Sequence, residues 1–222
     1  MTEDSIKIDL RNQFGDADNQ GRRPTCLAFA ASAAHRYCHA AEEPFCVEWL
    51  YFYAVTRAGD PPDAGSRIPD TTSVIRDIGQ PVDAHWPYSV ADPDPGNWRP
   101  PPTAPNDIFV ADNDDADSRY DDISAALAKG VPTIIGLKIG NSFIHTIKNG
   151  EHALVDDDPE PVAQGAGHAL LVVGAGLIES RNRLLVRNSW GPRWGDLGHA
   201  WITENYMNDR WMGGFRLKEK KK

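Results

Sequence analysis

The chain has 222 residues, enough for one large domain or two small lobes that share a core. Hydrophobic residues make up 41% and charged residues 25%, ordinary for a globular protein, and no run of about 18 apolar residues exists to span a membrane. A net charge of −9 argues against nucleic acid as a partner. Met1 to Leu10 carries Glu3, Asp4 and Asp9 without an apolar run. It therefore reads as no secretory signal, and a cytoplasmic location is expected unless a non-classical route delivers the chain elsewhere.

Taken in chain order, Ile6-Lys7-Ile8-Asp9-Leu10 alternates apolar and polar residues and predicts a short strand or extended arm. Asp16 to Thr25 is rich in Gly, Asn, Asp and Pro and reads as a loop. Its Asp16-Ala17-Asp18 opening resembles a calcium loop, but the twelfth position is Leu27 where a bidentate Glu is required, so no metal is expected. From Cys26 to about Ala40 the Ala-rich pattern predicts a buried helix with Pro24 or Thr25 near its first turn. Further helices are expected over Val47–Arg57, Thr72–Asp77 and Tyr120–Lys129. A Pro- and Gly-rich segment, Trp86 to Pro105, separates this half from a strand-rich one. Strands are predicted at Ile108–Ala111, Thr133–Ile139, Ala169–Val173 and Leu184–Asn188. The acidic runs Asp112–Asp122 and Asp156–Asp158 read as solvated loops, and the basic run Lys218–Lys222 as a solvated or disordered tail.

Three residues stand in local contexts that suit one another. Cys26 lies in Gln20-Gly21-Arg22-Arg23-Pro24-Thr25-Cys26-Leu27-Ala28, His168 in Gly167-His168-Ala169-Leu170-Leu171, and Asn188 opens Asn188-Ser189-Trp190-Gly191. A thiol attacks a carbonyl as thiolate, and an ordinary cysteine has a pKa near ~8.5. A helix start and a nearby imidazolium would both lower it. His168 could then return the proton to a leaving amine, with Asn188 fixing the ring's tautomer.

This set resembles the papain-like (cathepsin-type) cysteine peptidases, in which a Cys precedes a distant His and Asn; here 142 residues separate Cys26 from His168. The resemblance implies an α+β fold of two lobes. A helical first lobe (11–105) would carry Cys26, a β-barrel-like second lobe (106–214) would carry His168 and Asn188, and the active-site cleft would lie between them. Residues 1–10 would form an arm packed on the second lobe, with 215–222 as a basic tail. Gln20, six residues before Cys26 as in the family, would be the oxyanion donor. Trp190 would cover the His–Asn hydrogen bond and border the substrate, with Gly65 and Gly167 as further substrate-binding positions.

The implied function is hydrolysis of peptide or isopeptide bonds through an acyl-thioester, on peptide or protein substrates, with no cofactor. Two alternatives stay open: transfer of the acyl group to an amine, and an inactive papain-like domain that only binds. Departures from the family pattern are Leu27 after the cysteine, Ala64-Gly65-Ser66 in place of paired glycines, and Arg23 where secreted relatives carry a disulfide cysteine. Cys38 and Cys46 read as buried core thiols, which fits a reducing compartment. Only 25 residues precede Cys26, so no inhibitory propeptide is expected, and a separate protein inhibitor would be one form of control.

Overall fold

The structure is a computed structural model that describes residues 4–157 and 167–220; Met1–Glu3, Asp158, Lys221 and Lys222, named above in the amino end, an acidic run and the tail, lie outside the described residues. The chain divides into two compact units, Asn19–Asp114 with Leu217–Lys222, and Met1–Asp18 with Asp115–Arg216.

In the first unit, helices α1 (Cys26–Cys38), α2 (Val47–Ala58) and α3 (Ile68–Asp77) pack on one another. Ala28, Ala31 and Ala34 of α1 are buried with Leu50, Tyr51 and Ala54 of α2 and Val74 and Ile75 of α3, apolar stripes at helical spacing. α2 is capped by Cys46, whose sulfur accepts the Trp49 N–H at 3.3 Å while its S–H donates to the Trp86 carbonyl at 2.9 Å. α3 begins at Ile68, ahead of the expected Thr72, because Pro69 suits a first helical turn. Gln80 ties the helices together. Its amide N–H groups donate to Ser32 Oγ (2.6 Å) and the Cys46 carbonyl (2.8 Å), and its oxygen accepts from His35 Nδ1 at 3.0 Å.

The strands, with ranges, are β1 (Ser5–Asp9), β2 (Ala111–Asp115), β3 (Thr133–Lys138), β4 (Lys148–Asn149), β5 (His152–Val155), β6 (Gly167–Ile178), β7 (Arg181–Arg187), β8 (His199–Thr203) and β9 (Trp211–Glu219). Helices α4 (Tyr120–Leu127), α5 (Asn141–Ile144) and α6 (Glu204–Arg210) lie between them in the chain. Among the described residues the sheet runs β2-β9-β3-β6-β7-β8-β5-β4, with β1 pairing antiparallel to β6. The path starts at β2 and ends at β4 without closing, so the sheet is open where the sequence pointed to a barrel-like lobe. It is also mixed, since β5 and β8 run parallel while β3, β6, β7 and β9 pair antiparallel.

The core of this unit joins Ile135, Leu137, Leu170, Val172, Leu184, Val186 and Ile202 from the sheet with Ile123, Tyr206 and Met207 from the helices. Two segments read from sequence as loop or tail are partly strand. The start of the acidic run forms β2, and β9 reaches Glu219 with Phe215 and Leu217 buried. Lys218 pairs with Asp114 at 2.7 Å, so the opposed charges suit an exposed pairing rather than solvated coil.

Candidate active site

Cys26 is the first residue of α1 and is half-buried, at the positive end of a helix of 13 residues. The loop before it is tightly bonded. Buried Gln20 donates from Nε2 to the Arg23 carbonyl at 2.7 Å, and the Thr25 N–H donates to that same carbonyl at 2.9 Å. The Tyr88 hydroxyl donates to the Gln20 carbonyl at 2.8 Å. Its single proton is thereby used, so the Thr25 hydroxyl is the donor in the 2.8 Å contact with Tyr88. None of the cysteines is in a disulfide. Burial pushes the Cys38 thiol up to about 11 and the Cys46 thiol up to about 12, which leaves both inert at neutral pH.

In the other unit His168 is the second residue of β6, opposite Leu137 of β3, and Asn188 follows β7. His168 Nε2 and Asn188 Oδ1 are 2.7 Å apart, both buried. The Ser189 backbone N–H also donates to this Oδ1, at 2.8 Å. Turning the amide end for end would set its N–H groups against that donor, so the oxygen is fixed and His168 must carry its proton on Nε2. In the neutral ring Nδ1 is then the lone-pair nitrogen. Burial pushes His168 down to about 4, offset in part by the bond to Asn188. Its own surroundings thus favour the neutral ring, and the imidazolium expected from sequence requires an anion beside it.

The ring of Trp190 lies 4.6 Å from that of His168, and fully buried Phe143 lies 6.0 Å from His168 and 5.7 Å from Trp190. Trp194 backs both, at 4.7 Å from Phe143 and 6.0 Å from Trp190. Phe143 went unnoticed in the sequence because it sits in the four-residue α5, without periodic neighbours. Gly198 was also missed. Its carbonyl accepts the Asn188 N–H at 2.9 Å, its φ is +83°, and a Cβ there would fall 2.1 Å from that of Ala17. Only glycine fits, which the spacing Gly195-Asp196-Leu197-Gly198 after the Asn-Ser-Trp-Gly motif could have flagged.

Among the residues read as substrate-binding, Gly65 has φ +80° and lies beside Pro24, two residues before Cys26; its N–H donates to Tyr51 Oη at 3.3 Å. Gly167 is exposed at the start of β6, where a Cβ would press on the Met212 side chain at 3.0 Å. Trp190 is half-buried against His168.

The family model described as papain family cysteine protease matches residues 85–213, more than half the chain, including His168 and Asn188 and beginning after Cys26. The chain belongs to the papain family of cysteine proteases. Cathepsin S of Mus musculus is 33% identical over 88 residues, 40% of this chain and 24% of that protein. An uncharacterized peptidase C1-like protein of Acanthamoeba polyphaga mimivirus is 26% identical over 210 residues, 86% of this chain and 65% of that protein. The chain therefore spans less than two thirds of the length of either curated relative. Xylellain, a cysteine protease from Xylella fastidiosa, matches with a TM-score of 0.75 at 24% identity, over 96% of this chain and 86% of that one. The fold is thus papain-like and α+β.

Proposed function

We propose that this chain is a thiol peptidase in which Cys26 is the nucleophile, His168 the base and acid, Asn188 the orienter and Gln20 the oxyanion donor. The observation that carries the reading is the fixed Asn188 oxygen, which commits Nε2 of His168 to a hydrogen bond and leaves Nδ1 as the proton acceptor. In this mechanism Nδ1 takes the Cys26 proton as the sulfur adds to the substrate carbonyl carbon. The Gln20 amide and the Cys26 backbone N–H receive the negative charge that develops on oxygen. The imidazolium then protonates the amine as the C–N bond breaks, leaving an acyl-thioester. Water, losing its proton to His168, releases the acid and restores the thiol.

Peptides or proteins are the substrate class, and an amine in place of water would give acyl transfer from the same intermediate. Mass spectrometry of a peptide library incubated with the wild type and with Cys26→Ala tests the reading. New termini made by the wild type alone support it, and added-amine adducts at those termini would mark acyl transfer. Binding of peptides by both proteins without any new terminus would overturn it in favour of an inactive binding domain.

A further inference from the structure

The loop between Gln20 and Cys26 is anchored from below by a side chain that the mechanism does not use. Arg23 is 1% exposed, and its guanidinium forms a two-pronged pair with Glu48 of α2, Nη1 to Oε2 at 2.7 Å and Nη2 to Oε1 at 2.8 Å. Nη1 also donates to the Ser89 carbonyl at 2.6 Å, and the Tyr88 ring lies 4.8 Å from the guanidinium carbon. Glu48 in turn accepts from Trp98 Nε1 at 2.6 Å. This is an expensive arrangement. Two desolvated charges are stable together only when geometry and extra hydrogen bonds are good, and such a pair seldom exceeds a packed apolar one in stability. Its value should then lie in what it holds in place.

What it holds is the Arg23 carbonyl, which accepts the Gln20 Nε2–H at 2.7 Å and the Thr25 N–H at 2.9 Å, immediately before the helix that starts at Cys26. Tyr88, stacked on the same guanidinium, bonds the Gln20 carbonyl and the Thr25 hydroxyl. We propose that Arg23, clamped by Glu48, is a positioning residue that aims the Gln20 amide at the site of the developing oxyanion. The proposal rests on the functional reading above, and it assigns to Arg23 no contact with substrate. A bidentate guanidinium sets direction as well as charge, which a lysine would not reproduce.

A double-mutant cycle on kcat and KM, with a cleaved peptide from the library as substrate, tests it. Arg23→Met should lower kcat by roughly 10-fold to 10²-fold, as displacement of a catalytic group does, with KM changed less than about twofold. In the Gln20→Ala background the same substitution should cost less than about twofold, because the group it aims is already gone. Arg23→Lys should fall between Arg23→Met and the wild type. If Arg23→Met does not fold, Glu48→Gln, which keeps the shape and halves the clamp, enters the same cycle. Equal losses of kcat in both backgrounds would overturn the proposal, since the ion pair would then act independently of Gln20. So would wild-type kcat in Arg23→Met when Gln20→Ala is impaired, a result that leaves the functional reading intact. Unchanged kcat in Gln20→Ala would instead defeat the oxyanion assignment, and the clamp's role with it.

Discussion

His168 and Asn188 are held by one buried hydrogen bond at strand ends, with Phe143 and Trp190 against the imidazole. Gln20 and Cys26 ride on a loop and a helix start, held by the Arg23 carbonyl, the Tyr88 hydroxyl and the buried Arg23–Glu48 pair. The first arrangement removes water and lets a low-dielectric surround keep the ring neutral. The second removes freedom by tying the loop's carbonyls and the Arg23 guanidinium into hydrogen bonds and a buried ion pair. One half should therefore be vulnerable to protonation, and the other to the loss of a single partner.

Substitutions at the reacting groups should separate the halves most sharply. His168→Ala should lower kcat by roughly 10⁴ or more, as loss of one member of a nucleophile–base unit does in other hydrolases. A folded His168→Ala protein that keeps a tenth of its turnover would remove His168 from the mechanism. Gln20→Ala should lower kcat by roughly 10²–10³ with little change in KM, the effect of one oxyanion donor in another protease. A large rise in KM at intact kcat would make Gln20 a substrate-binding residue instead.

Asn188→Ala should be milder, about 10-fold in kcat, because His168 can still move a proton after losing its orienter. Equal inactivity of folded Asn188→Ala and His168→Ala would show that orientation is not all that Asn188 supplies.

A separate effect, read on folding and not on turnover, is expected in stability against pH. His35, His168 and His199 are each pushed from 6.5 down to about 4, burial being the largest cause in every case. The unfolded chain therefore binds more protons than the folded one between these values. Stability is whole above about pH 6.5 and falls as pH drops toward 4, by up to about 1.4 kcal/mol per pH unit for each histidine. Urea unfolding at pH 7 and pH 5 measures it. A midpoint unchanged between them would contradict the burial account, and a flattened response in His199→Asn would support it.

Much of this was legible because it is local. The Ala-rich run after Cys26 became α1, Val47 began α2 as expected, and the apolar run at Thr133 became β3. The strand β8 escaped because all five of its residues are buried, so no alternation marks it. β9 escaped because Gly213 and Gly214 interrupt its pattern; a Cβ on Gly214 would strike the Trp211 ring at 2.6 Å, so the glycine serves packing rather than a turn. The sheet's open path depends on long-range pairing, which composition does not encode. The Arg23–Glu48 pair joins residues 25 apart in sequence, and a lone Arg in a loop and a lone Glu on an aromatic helix carry no mutual signal. Phe143 beside His168 is equally non-local.

The central claim is that Cys26 and His168 act as a pair, and thiol labelling tests it most directly. Iodoacetamide is added at mildly acidic pH to the native wild type and to His168→Ala, and the Cys26, Cys38 and Cys46 peptides are followed by mass spectrometry. Burial holds Cys38 and Cys46 at about 11 and about 12, so neither should react appreciably. Cys26 should be labelled far faster than both in the wild type and should lose that advantage in His168→Ala. Equal labelling of the three thiols in the native protein, or a Cys26 preference untouched by His168→Ala, would contradict the account.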